Sequence, residues 1–241
     1  MRLITRITSA ALAATALSIT TAPGASAQWS VTAVGVAEYD TNETWLLLAG
    51  ISASPSTGRG IAPVFGIQAY RLSYDQGSGR THVTSVRPSA GLRSNFGTGS
   101  AQMRIGYAFT SRDVPAPVAG GIADRKDGVV LSGQLDYWGS GGPLGWQLLG
   151  SYNFGSTTLW TRGRVTTRVA RTATGQVRLG GEVAYLNDSD GDFTMVQPGA
   201  VVEWHLGGGP IVAFGVGRKL SDPGDDATYF KTEIVLPLRR P

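Results

Sequence analysis

The chain contains no cysteine, only two histidines and no long apolar run in its body. Without cysteine, neither a disulfide framework nor a thiolate nucleophile or ligand can form. Past the N-terminus the longest strongly apolar stretch is Trp45 to Ile51, far below the ~20 residues that a membrane-spanning helix requires. Helical patterning is equally scarce. No segment after residue 27 sustains apolar side chains at i, i+3, i+4 and i+7, and the 34 glycines and 12 prolines interrupt almost every window where one would form. The glycines follow no collagen period and form no low-complexity block, so one domain without a linker is expected. A basic tract is missing too. The formal charge of +4 includes Arg2 and Arg6 near the start, and the remaining arginines are scattered, which excludes a nucleic-acid surface.

Catalytic motifs are absent as well: there is no G-x-S-x-G, no H-E-x-x-H and no phosphate-cradling glycine loop. His82 falls on the apolar parity of its segment and His205 lies near the end of its own, so no enzyme, cofactor or metal centre is expected. The run Asp188-Ser189-Asp190-Gly191-Asp192 superficially matches a calcium loop, but Phe193 stands where that loop needs glycine and no glutamate closes it. Asn42-Glu43-Thr44 and Asn187-Asp188-Ser189 fit a glycosylation pattern without a context that would use it.

What is present begins with an export signal. Arg2 and Arg6 precede an apolar run from Ala10 to Ile19 and the small-residue site Ala25-Ser26-Ala27, which predicts a signal peptide over residues 1–27 and a mature chain from Gln28.

From Gln28 onward the pattern is alternation. Met103, Ile105, Tyr107 and Phe109 alternate with Gln102, Arg104, Gly106 and Ala108. Val177, Leu179, Val183 and Tyr185 alternate with Gln176, Arg178 and Glu182, and Phe230, Ile234, Leu236 and Leu238 with Tyr229, Lys231 and Glu233. A period of two gives each segment one apolar and one polar face. About twelve such segments predict an all-β fold: a single antiparallel transmembrane β-barrel over residues 28–241, the only way a chain without spanning helices crosses a bilayer.

The connections support this reading. Those in odd places hold Asp40, Glu43, Asp75, Asp113, Asp124, Asp188, Asp190, Asp192, Asp222, Asp225 and Asp226, whereas those in even places are Gly/Ser/Thr turns with no acid. Short turns at one end and longer polar loops at the other match periplasmic and outer sides, with both termini periplasmic. Trp29, Tyr39, Trp45, Tyr70, Tyr74, Tyr137, Trp138, Tyr152, Trp160, Tyr185, Trp204 and Phe230 cluster toward strand ends and are expected at the membrane interfaces. A soluble exported β-protein holding a small ligand is the competing architecture, and a barrel hydrolase the competing activity.

The polar parity carries the candidate site. Arg162, Arg164, Arg168, Arg178, Glu182 and Glu203 fall on three successive strands, joined by Arg104, Asp136, Lys231 and Glu233 on others. Facing hydrocarbon, such charges would cost several kcal/mol, so they are expected in the lumen. Two roles remain open: Arg and Glu pair across neighbouring strands to plug the bore, or surplus arginine lines a narrow anion-favouring pore. The expected surroundings are outer-membrane lipid, lipopolysaccharide and the barrel-assembly machinery.

The mature chain resembles outer-membrane β-barrel proteins along its length. The segments Leu159-Trp160-Thr161-Arg162-Gly163-Arg164, Gly180-Gly181-Glu182, Gln197-Pro198-Gly199 and Tyr229-Phe230 are also similar to the cellulose-biosynthesis accessory barrels of the BcsS type. That resemblance implies an accessory role and partners in exopolysaccharide export. The chain departs from the barrel pattern at its end, where Leu238-Arg239-Arg240-Pro241 replaces the aromatic residue that usually closes the last strand.

Overall fold

A computed structural model describes residues 28–55, 60–75, 79–113, 124–138, 143–189, 192–207, 209–222 and 224–239. The export-signal expectation for residues 1–27, Asp190 of the calcium-like run and Arg240-Pro241 lie outside these residues. The described chain is all-β. Its strands are β1 (Trp29–Asp40), β2 (Trp45–Pro55), β3 (Gly60–Asp75), β4 (Arg80–Phe96), β5 (Gly99–Asp113), β6 (Asp124–Arg125) and β7 (Gly128–Trp138). They continue with β8 (Leu144–Asn153), β9 (Thr158–Thr172), β10 (Gly175–Asp188), β11 (Phe193–Leu206), β12 (Ile211–Asp222) and β13 (Ala227–Arg239).

Every long strand pairs antiparallel with its chain neighbours, and β1 pairs with β13, so twelve strands close into a barrel without a free edge. Closure matters because an open edge would leave unpaired N–H and C=O groups in lipid. The thirteenth element, β6, is a two-residue ladder on the end of β5. Pairing is interrupted opposite Pro88 on β4 and Pro198 on β11, each a residue that cannot donate to a ladder.

The outer surface follows the predicted alternation. Met103, Ile105, Tyr107 and Phe109 are exposed, as are Leu179, Val183, Phe230, Ile234, Leu236 and Leu238. Solvent-exposed apolar rows around a closed barrel are what a lipid-facing surface requires. Small apolar side chains also face inward, including Val64 and Val201, each 2% exposed. The interior is therefore not uniformly polar.

Two expectations from loop and interface positions are corrected. Asp40 belongs to the interior rather than to a solvated loop: it is 2% exposed, and its Oδ2 accepts from Lys219 Nζ at 2.7 Å. Its Oδ1 accepts the backbone N–H of Asn42 at 3.0 Å and of Thr44 at 2.9 Å, shaping a turn in which Glu43 adopts φ 59°. Tyr70 and Tyr74 also point inward, where their hydroxyls accept from Arg87 at 3.2 Å and Arg112 at 2.8 Å. Both tyrosines share the parity of Gln68, opposite to that of Phe65 and Ile67, which is why end position misplaced them.

The acid-bearing connections bond to one another at one end of the barrel. Asn42 Nδ2 donates to the Asp225 carbonyl at 3.1 Å, and Arg80 pairs with both Glu43 and Asp75 at 3.1 Å. These contacts are exposed, so water screens them and each contributes little to stability.

Candidate functional site

The interior chemistry starts on β9, where the alternation Arg162-Gly163-Arg164 sends two guanidinium groups inward and leaves Gly163 on the outer face. Across the β9–β10 ladder Arg164 lies directly opposite Glu182, and its Nε and Nη2 both donate to Glu182 Oε2, at 3.0 and 2.8 Å. Arg164 Nη1 continues to Glu203 Oε1 on β11 at 2.9 Å, and Nη2 also reaches Glu233 Oε2 on β13 at 2.8 Å. One guanidinium thus binds three carboxylates from three strands.

Glu233 is shared. Arg162 Nη1 donates to its Oε2 at 2.8 Å, and Arg162 Nη2 donates to Gln147 Oε1 on β8 at 2.6 Å. Gln147 Nε2 donates to Asp136 Oδ1 on β7 at 2.9 Å, and Ser100 on β5 donates to Asp136 Oδ2 at 3.2 Å. On the far side, Lys231 Nζ and the Tyr229 hydroxyl both donate to Glu182 Oε1. Gly199 makes room for Tyr229, since a Cβ there would lie 2.1 Å from its Oη. A continuous polar chain therefore runs from β5 through β7, β8, β9, β10 and β11 to β13.

Burial puts this network in a regime unlike the surface pairs. The side chains of Arg164, Glu182 and Glu203 are 4%, 2% and 1% exposed. At that depth the cost of desolvating each ion is offset only by its partners, so loss of one partner costs far more than a surface pair contributes. The network is balanced: Arg162, Arg164, Arg178 and Lys231 face Asp136, Glu182, Glu203 and Glu233. Arg178 joins through Thr166, to whose Oγ1 its Nε donates at 3.0 Å, while Thr166 donates to Glu203 Oε2 at 3.3 Å.

Two of the sequence-selected residues stand apart. Arg168 sits opposite Arg178 at a register shift between β9 and β10, beyond the main cluster. Arg104 lies on β5 beside the network's edge, but its guanidinium is turned toward β3, with Nη1 by Gly66, and joins no part of the network. Conversely, Gln147, Tyr229 and the Lys219–Glu38–Asp40 cluster are structural participants that sequence reading did not select. Lys219 Nζ lies 2.8 Å from Glu38 and 2.7 Å from Asp40, and Glu38 and Asp40 share one strand face, which is the signal that marks them.

His205 Nε2 lies 2.9 Å from Glu203 Oε2, whose other neighbour is the Thr166 hydroxyl. This order places the carboxylate between hydroxyl and imidazole, whereas base activation of a nucleophile needs the imidazole in the middle. Among the described residues no group of three or more metal-ligating side chains gathers.

No family model matches the chain, and no curated protein matches it. Solved structures do resemble it. An outer-membrane channel from Pseudomonas putida F1 aligns with a TM-score of 0.55 at 10% identity, over 89% of this chain and 99% of the other. The β domain of the Bordetella autotransporter BrkA aligns with a TM-score of 0.51 at 12% identity, over 86% and 98%. The translocator domain of the autotransporter NalP from Neisseria meningitidis aligns with a TM-score of 0.50 at 13% identity, over 98% and 95%. At such identities the likeness establishes an outer-membrane-type β-barrel fold.

Proposed function

We propose that this protein is a non-enzymatic outer-membrane barrel acting as a narrow channel, its bore confined to one side of the lumen by the ion pairs that join β9 to β13. One observation carries the reading. Arg162 and Arg164 reach Glu233 across the interior, while β4, diametrically opposite β11 in the strand circle, presents Ser89 and Gly91 to the lumen. A small barrel leaves little free cross-section, so a chord of paired side chains closes one part and leaves the part before β4, where short residues alternate with the arginines Arg87, Arg93 and Arg104 along the wall.

The exposed apolar rows support residence in a bilayer with lipid and lipopolysaccharide around the barrel and insertion by the barrel-assembly machinery. The channel from Pseudomonas putida is a protein of similar fold with that activity. The likeness of Trp160 to Arg164 and of Gly180 to Glu182 to BcsS-type barrels supports exopolysaccharide export as the pathway served. The test is membrane fractionation followed by electrophoresis with and without boiling. Outer-membrane recovery with faster migration of the unboiled protein is expected, whereas a soluble, heat-indifferent protein would defeat the reading.

A further inference from the structure

The two sides of the lumen are electrostatically unlike. Around β9 to β13, each arginine of the central cluster meets carboxylates or the hydroxyl that links to one. Around β3, β4 and β5 the arginines Arg87, Arg93 and Arg104 meet none. Arg87 rests on the Tyr70 ring with its guanidinium carbon 4.7 Å from the centroid and donates to the Tyr70 hydroxyl. Arg93 Nε donates to the Asn95 side chain at 3.1 Å. Arg104 has no hydrogen-bond or ion-pair partner among the described residues. Asp136, across the β5–β7 ladder from Ser100, is already held by Ser100, Gln134 and Gln147.

The backbone makes room for the free guanidinium. Arg104 lies across the ladder from Gly91, and its Nη1 sits 2.8 Å from where a Cβ on Gly66 of β3 would stand, near the Ser89 hydroxyl. Its stem therefore crosses β4 over small residues and holds the charged head against the wall. Arg87 and Arg93 flank that head along β4, six residue steps apart, which spans roughly 20 Å of strand. A planar guanidinium presents paired donors that match a carboxylate, and arginine keeps its charge at any physiological pH.

We infer that the β4–β5 face of the lumen binds polycarboxylate anions, with Arg104 as the primary site and Arg87 and Arg93 as flanking sites along the strand. The inference deepens the channel reading by naming what the unblocked side selects. The spacing of the three heads exceeds one carboxylate, so a solute carrying several carboxylates, or several anions in succession, fits better than a single small anion. Neutral solutes gain nothing from this face.

The test uses the full-length folded protein in detergent and citrate as probe, with binding measured by calorimetry at low and high KCl. Citrate affinity that weakens with salt is expected. Arg104→Gln should weaken it at least about ten-fold, the equivalent of 1.4 kcal/mol; Arg104→Lys should lie between, and Arg71→Gln on the outer face should leave it unchanged. Heat-modifiable migration of each variant confirms that the barrel has closed. Absence of citrate binding by the wild type, or equal affinity in a folded Arg87→Gln/Arg93→Gln/Arg104→Gln variant, would overturn the inference. Its failure is separable from that of the channel reading: citrate binding without bilayer conductance leaves the site standing and removes the channel, and conductance without citrate binding does the reverse.

Discussion

Arg164 and Glu233, four strands apart around the wall, meet at 2.8 Å inside the barrel. Ladder hydrogen bonds tie each strand only to its neighbours. This contact, with Arg162 beside it, ties one arc of the wall to another and makes the cross-section depend on side chains. Replacing Arg164 by Ala leaves Glu182, Glu203 and Glu233 with fewer cations at 7% exposure or less. The expected loss is about 3–5 kcal/mol, read from the urea midpoint of the reconstituted barrel. Glu182→Ala should lose a similar amount, because it strands Lys231 and part of Arg164. A change below ~1 kcal/mol in both would mean that water reaches the cluster and screens it.

The outward face offers an independent check. Ile105 is 60% exposed on the lipid-facing row, next to the inward Arg104. Ile105→Arg should cost about 2–4 kcal/mol if the site lies near the bilayer midplane. Single cysteines at Met103 and Arg104, treated with a membrane-impermeant thiol reagent in intact vesicles, should react unequally. Equal labelling at the two positions would contradict the alternation.

Lys219 holds Glu38 and Asp40 together, and Asp40 in turn shapes the turn from Thr41 to Thr44. Lys219→Met should leave two buried acids unpaired, costing about 3–5 kcal/mol. It should also loosen the turn, so limited proteolysis near Asn42 should accelerate in the variant. An unchanged cleavage rate would separate the turn from the ion pair.

The sequence pattern at the N-terminus predicts cleavage after Ala27. Intact mass of the exported protein should begin at Gln28. Retention of Met1 or cleavage beyond Val31 would defeat that expectation.

Alternation made the strands and their two faces legible, because lipid on one side and polar contacts on the other impose a period of two at every position. Parity placed Ile105 and Arg104 on opposite faces without any structure. Parity says nothing about reach across the lumen, however. Arg164 and Glu182 are ladder partners, the kind of neighbour pair that sequence reading expects, but Arg162 and Glu233 are 71 residues apart and meet only because the barrel closes. Asp40 was misleading for another reason: it ends its strand beside true loop acids, and that position hid the parity it shares with Glu38, which carries both acids to Lys219. Arg104 sat on the right parity, but parity could not show that its guanidinium turns away from the network, toward Gly66 on β3.

The central claim is that paired side chains narrow the bore, and single-channel recording in planar bilayers tests it most directly. The account predicts small, discrete currents from the wild type that rise several-fold in Arg162→Ala/Glu233→Ala, which removes the chord while taking out a balanced pair. Large wild-type currents that this double variant leaves unchanged, or no current from either protein, would contradict it.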